Sequence, residues 1–141
     1  MLFAYGSLID DRVWSLVAGP GAGPAAPAVL EGFRRVCVAG AWFPTVAAAP
    51  GHRVAGVVRR AVPAAALRRL VAFEGAEYEI RELAVTLDGG ATAAARVFVT
   101  RPAVRLAKRG GDWVDWSYDD WCRRGRGELI RRLSRGGGRG D

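Results

Sequence analysis

The chain has little of what metal and nucleophile centres are usually built from. Its two cysteines, Cys37 and Cys122, lie far apart and outside any Cys-x-x-Cys pair, so a zinc site or a thioredoxin-type redox pair has no support. Both read as reduced core thiols. The one histidine, His52, excludes a multi-histidine metal site and would have to serve alone in any Ser-His-Asp or Cys-His centre. Catalysis is therefore expected to rest on carboxylates. A long uninterrupted apolar run is also missing. The longest weakly polar stretches, residues 16–30 and 36–50, are broken by Pro20, Pro24, Pro27 and Pro44, and neither can form the roughly 20-residue helix that spans a bilayer. Residues 1–5 carry no basic leader, and Asp10-Asp11 cut short any run of signal type. A cytoplasmic protein with no membrane partner is the expectation.

Lysine is nearly absent, since Lys108 is the single lysine and every other basic residue is arginine. The net charge of +7 and pI near 10.6 would suit an anionic partner. However, arginine, alanine, glycine, proline and valine together dominate, as a coding sequence rich in G and C would produce, and the basic residues are spread along the chain. Nucleic acid is disfavoured as a partner on this reading. With 50% hydrophobic and 25% charged residues, the chain has the balance of an ordinary globular protein. Its length predicts one domain over residues 1–134, followed by a Gly/Arg tail, residues 135–141, expected to fray.

Residues 1–5 form an apolar run ending in Gly6-Ser7, which predicts a buried strand stopped by a glycine turn. A short helix is expected over residues 10–17, with Val13, Trp14 and Val17 on one face. Glycine, proline and alanine make residues 19–27 a surface loop. Strands are expected over residues 28–39, interrupted by Arg34-Arg35, and over residues 52–62. Pro63 reads as the first residue of a helix that carries Leu67, Leu70 and Val71 and stops at Glu74, before Gly75. Residues 78–87 and 93–100, joined by Asp88-Gly89-Gly90, predict a β-hairpin. Ser117-Tyr118-Asp119-Asp120 has the form of a helix cap. The helix that follows has Trp121, Leu129 and Leu133 on one side and a basic face elsewhere, and Gly125 and Gly127 weaken its middle. Trp113, Trp116 and Trp121 read as core cover, with stacking on a base or a substrate as the alternative.

Two local features point to chemistry. In Tyr5-Gly6-Ser7-Leu8 a strand runs into glycine, so that successive backbone N–H groups can face open space and hold an anion or a carbonyl oxygen. A purely structural Gly-Ser turn is the competing reading. In Phe73-Glu74-Gly75 a carboxylate sits in the last turn of a helix, where the partial negative charge disfavours an anion, and burial would act in the same sense. Both raise its pKa toward neutrality, as a general base requires. An exposed surface glutamate is the alternative. Nearby, Glu77 is a possible second carboxylate but reads better as solvated in the turn after the helix, Arg81 reads as pairing with Glu79 or Glu77 in preference to substrate, and Tyr78 as either pocket or core.

Taken together, these features make the chain resemble the gamma-glutamylcyclotransferase-like family, including its plant AIG2-like branch. Leu2-Phe3-Ala4-Tyr5-Gly6-Ser7-Leu8 is similar to the family's opening strand and Tyr-Gly-Ser/Thr-Leu loop. Glu31-Gly32-Phe33-Arg34-Arg35-Val36 is similar to its Gly-Tyr-Arg-Arg strand, Phe43-Pro44-Thr45-Val46 to its Tyr-Pro segment, and Val54-Ala55-Gly56-Val57-Val58 to its Val-x-Gly strand. Leu70-Val71-Ala72-Phe73-Glu74-Gly75, with Tyr78 and Arg81, resembles the Leu-Asp-x-Phe-Glu block, and the tryptophan-rich stretch 113–121 resembles the AIG2-like tail. Val71 stands where the family usually has aspartate, and Phe43 where it often has tyrosine.

The resemblance implies an α+β fold around a mixed, barrel-like sheet with flanking helices and a site at the barrel mouth. It implies an enzyme that cyclises a gamma-glutamyl amide to 5-oxoproline and releases an amine, with no metal or organic cofactor. Glu74 would be the catalytic acid and base, and Tyr5, Gly6, Ser7 and Leu8 would bind the small-molecule gamma-glutamyl substrate. A non-catalytic ligand-binding member of the same fold and a basic nucleic-acid-binding module are the alternatives.

Overall fold

The computed structural model describes residues 1–20 and 24–135. In chain order the strands are β1 (Leu2–Ala4), β2 (Ala25–Cys37), β3 (Pro44–Arg59), β4 (Tyr78–Leu87), β5 (Thr92–Thr100), β6 (Lys108–Arg109) and β7 (Asp112–Trp113). The helices are α1 (Asp11–Ala18), α2 (Ala64–Glu74), α3 (Tyr118–Arg124) and α4 (Arg126–Ser134). Strands β1 to β5 close into a barrel in the order β1-β3-β2-β4-β5. Every pairing around it is antiparallel except that of β1 with β5, where Leu2 lies beside Arg96. The architecture is α+β around a mixed barrel-like sheet, as expected.

Alternation along the strands divides the apolar residues into two cores. Phe3, Tyr5, Leu30, Val46, Val54, Val58, Val85, Val97 and Val99 pack together with no helical residue among them, which identifies this cluster as the barrel interior. A five-strand barrel is narrow enough for side chains to fill. Leu2, Ala4 and Phe98 point the other way and pack with Trp14, Val17, Leu70, Trp121 and Leu133 of the helices. Asp10 caps α1 by accepting from the N–H groups of Arg12 and Val13 at 3.0 and 3.1 Å. Ser117 caps α3 by accepting from Asp120 N–H at 3.1 Å, as its motif predicts. No helix of the described residues is long and apolar enough to cross a membrane.

The hairpin β4–β5 and helix α2 fall where the sequence places them, with Pro63 as the cap of α2 instead of its first residue. The β2–β3 hairpin is longer than expected. β2 begins at Ala25, inside the stretch read as loop, and β3 begins at Pro44, eight residues before the expected strand. Alanine and proline hide this strand from propensity, but the long pairing with β2 selects it. Phe33 pairs with Ala48 and Glu31 with Arg53, so residues 49–52 have no partner in the register and the missing N–H of Pro50 interrupts no ladder bond. The C-terminal helix is two, α3 and α4, broken at Gly125. The rest of the expected loop, residues 21–23, and of the expected frayed tail, residues 136–141, lies outside the described residues.

Candidate active site

One end of the barrel opens into a cavity of about 1130 Å³. The end of β1, the residues leading into β3, the last turn of α2 and the start of β4 converge there, and α3 and α4 wall one side. Tyr5, Gly6, Ser7, Leu8 and Glu74 all line this one cavity.

Helix α2 stops where Gly75 takes φ 86°, a left-handed conformation that glycine adopts without strain, with its N–H bonded to Val71 O at 3.1 Å. The chain then turns into β4, which leaves Glu74, the last helical residue, at the cavity wall. Burial takes its carboxyl out of water and pushes its pKa up to about 7. Desolvation is thus the physical cause, the second of the two effects read from sequence.

Two phenols stand near it. Tyr5 and Tyr78 are both pushed upward, first by burial and then by neighbouring groups that include Glu74. The Tyr5 hydroxyl donates to Phe98 O at 2.5 Å, and the Tyr78 hydroxyl donates to Pro44 O at 2.6 Å. Each phenol is neutral and committed to a carbonyl. Of these three groups, Glu74 is the one that titrates near neutrality.

The loop after β1 tightens into a 3-10 turn, with Ile9 N–H on Gly6 O and Asp10 N–H on Ser7 O, both at 3.1 Å. The Ser7 and Leu8 N–H groups precede the first bond of that turn, so it leaves them without an internal acceptor. Two arginines clamp the loop from behind. Arg35 donates to Tyr5 O at 2.9 Å and Ala55 O at 3.3 Å, and its guanidinium lies 5.5 Å from the Trp116 ring centroid. Arg59, buried in the protein, donates to Leu8 O and Ile9 O, each at 3.3 Å, and to Asp11 at 2.9 Å. In a trans peptide the C=O and the following N–H point in opposite directions. Holding the Tyr5 carbonyl therefore turns the Gly6 N–H away from Arg35.

These clamps were not legible as such. Arg34-Arg35 look like an interruption of a strand, and the arginines as a class look compositional. The available signal was an arginine set among buried β-strand residues, which requires acceptors. Several other arginines are engaged in separate ion pairs over the fold, such as Arg34 with Asp112 at 3.1 Å and with Asp115 at 2.7 Å, and Arg126 with Asp10.

Other candidates fall elsewhere. His52 is exposed on β3, outside the cavity lining. Cys37 and Cys122 are unpaired and half-buried, short of the full burial expected. Among the described residues no three His, Cys, Asp or Glu side chains gather as a metal site requires. Arg81 is exposed on β4, and Glu79 pairs instead with Arg101 at 3.3 Å, since Arg101 leaves β5 beside the start of β4. Glu77 is exposed but lines the cavity, as does buried Tyr78. Trp116 and Trp121 are buried with ring centroids 6.3 Å apart and also line it, whereas Trp113 is half-buried and does not.

No curated protein matches the sequence. Among solved structures, the chain is similar to a protein of Arabidopsis thaliana determined in solution, at 23% identity and TM-score 0.66, covering 94% of this chain and 86% of that one. It is similar to an uncharacterized protein of Homo sapiens at 22% identity and TM-score 0.65, covering 94% and 85%. It is also similar to a gamma-glutamyl cyclotransferase at 18% identity and TM-score 0.60, covering 88% and 98%. These likenesses carry the fold. The family profile described as gamma-glutamyl cyclotransferase, AIG2-like, matches residues 2–123, most of the 141-residue chain, and the chain belongs to that family.

Proposed function

We propose that the protein is a cytoplasmic enzyme that cyclises a gamma-glutamyl amide to 5-oxoproline and releases the amine, with Glu74 as general base and then general acid. The supporting observation is that one cavity contains both the Glu74 carboxyl, pushed up to about 7, and the loop of Tyr5, Gly6, Ser7 and Leu8. The substrate's α-ammonium must lose a proton before its nitrogen can attack. Glu74 takes that proton, the nitrogen bonds to the γ-carbonyl carbon, and the five-membered ring closes. That proton then passes from Glu74 to the amide nitrogen as the old C–N bond breaks, and the second proton on the ring nitrogen follows it to the departing amine. An α-ammonium and an amide thus become a neutral lactam and a released ammonium, with Glu74 again a carboxylate. Folding the glutamyl chain so that its ends meet supplies much of the acceleration. Backbone N–H groups of residues 6–8 receive the substrate carboxylate or the developing oxyanion, and Tyr5 forms a neutral wall.

The direct test is a screen of gamma-glutamyl compounds for 5-oxoproline release by the full chain. Release from at least one supports the reading, and a folded protein inactive on all of them contradicts it.

The binding role belongs to the backbone of the loop. A Cβ on Gly6 would lie 3.0 Å from Pro44 Cγ, so Gly6→Val displaces the loop while Ser7→Ala leaves its amides in place. Substrate affinity should fall sharply in the first variant and little in the second. The reverse order would make the Ser7 hydroxyl the binding element.

Arg35 acts as a positioning residue through the Tyr5 carbonyl. Arg35→Met should lower kcat/KM by about 10- to 100-fold, somewhat less than loss of an oxyanion donor itself, and Arg35→Lys should recover part of that. Arg34→Met, which removes the pairs with Asp112 and Asp115 and the bond to Trp113 O, all away from the residue 5–8 loop, is the control. Equal losses in Arg35→Met and Arg34→Met would reduce Arg35 to a structural role.

A further inference from the structure

We infer that the amine half of the substrate is aromatic and that Trp42 and Phe43, at the rim of the cavity, select it. This inference rests on the cyclotransferase reading and specifies its substrate class.

Trp42 is 65% exposed and Phe43 40% exposed, among the few large apolar side chains that the fold leaves in water. Single exposed apolar residues are ordinary, but two adjacent aromatics on the lining of one cavity mark a contact surface. Their place in that cavity is fixed on both sides. The Phe43 ring centroid lies 6.0 Å from that of Tyr78, whose hydroxyl holds Pro44 O at 2.6 Å. The Trp42 carbonyl accepts from Trp116 Nε1 at 2.9 Å. The segment therefore spans from the Tyr78 side of the cavity, four residues after Glu74 in the chain, to the tryptophan wall.

The chemistry names the occupant. The amine half is one bond from the γ-carbonyl carbon, so it must lie in this cavity while the glutamyl half meets Glu74 and the residue 6–8 amides. At about 1130 Å³ the cavity is at or above the upper end of ordinary ligand pockets, roughly 300–1,000 Å³, and has room for a bulky second group. On the α3–α4 side two lining charges are already engaged, Arg124 with Asp120 at 3.3 Å and Glu128 with Arg131 at 3.9 Å. Trp42 and Phe43, with Trp116 and Trp121 of the tryptophan wall, give the amine half an aromatic surface in a cavity that also carries the exposed Glu77, and offset or edge-on ring contacts favour an aromatic guest over an aliphatic one of equal size.

The test uses the full chain and measures 5-oxoproline release from four gamma-glutamyl amides, those of benzylamine, cyclohexylmethylamine, methylamine and 1,5-diaminopentane. The benzylamide should have the highest kcat/KM, about tenfold above the methylamide, the scale of one aromatic contact. Trp42→Ala should bring that ratio close to unity, and Trp42→Phe should keep most of it. Thermal unfolding of both variants verifies that they fold. Release without preference, a cyclohexylmethylamide as good as the benzylamide, or a preference that survives Trp42→Ala would each overturn the inference and leave the cyclotransferase reading intact. No release from any of the four, nor from the wider gamma-glutamyl screen, would overturn both.

Discussion

Glu74→Gln should lose turnover by roughly 10²- to 10⁴-fold, the usual contribution of a positioned acid–base group, and should leave a protein more stable than the parent at alkaline pH. Both effects come from one proton site. Glutamine keeps the volume of the side chain and its polar head but can neither accept the α-ammonium proton nor return it to the leaving amine. The stability effect follows from the direction of the shift. Glu74 has its folded pKa raised from 4.5 to about 7, so its favourable contribution is fully present below the unfolded value and is lost as pH rises through about 7. Above that, an ionised carboxylate is held in a site that disfavours it, at a cost on the order of 3 kcal/mol for a shift of this size. Glu74→Gln removes the cost. Denaturant unfolding at about pH 8 should show the variant ahead, and near pH 4 the two proteins should converge. A variant less stable than the parent at both values would contradict the burial of Glu74 as a destabilised anion.

Gly56→Val should be the most damaging substitution in the barrel although it lies outside the proposed chemistry. Gly56 sits in β3 where β1 crosses closest, and a Cβ there would lie 2.3 Å from Ala4 O and 2.8 Å from Phe3 Cζ. Backbone cannot yield as a flexible side chain can. The pairings of Ala4 with Val57 and Phe3 with Val58 must open, and with them the seam that closes β1 into the barrel and carries the residue 5–8 loop. Overpacking costs about 1–3 kcal/mol where side chains can shift, and a clash against a carbonyl should exceed that range. Chemical denaturation of Gly56→Val should therefore show a loss of more than about 3 kcal/mol, or no folded protein at all. A loss under about 1 kcal/mol would mean that β1 does not approach β3 as described.

The elements legible in the sequence are those in which local chemistry and tertiary packing agree. The Asp88-Gly89-Gly90 turn, the Ser117 cap and the Gly75 stop each have one cheap conformation, and the fold uses it. The start of β3 was hidden because Pro44, Ala47 and Ala48 have little strand propensity, and partnership with Cys37, Arg34 and Phe33 of β2 makes them extended. In the candidate site, Glu74 and the residue 5–8 loop were legible because each is a local signal: an acid at a helix end, and a glycine turn after a strand. That they line one cavity is a matter of topology, which no local signal carries. Arg35 and Arg59 were hidden for a different reason. Their acceptors are backbone carbonyls distant in sequence, and a carbonyl leaves no trace in residue type.

The most direct measurement of the central claim is the pH dependence of kcat/KM for 5-oxoproline release, from about pH 5 to pH 8.5, in the parent protein and in Glu74→Gln. With Glu74 as the base, the parent rate should rise about tenfold per pH unit in the acid range and level off near the pKa of about 7. The folded variant should run at least about 10²-fold lower and show no inflection there. A folded Glu74→Gln protein that keeps most of the parent activity, or that keeps the same inflection, would contradict the account.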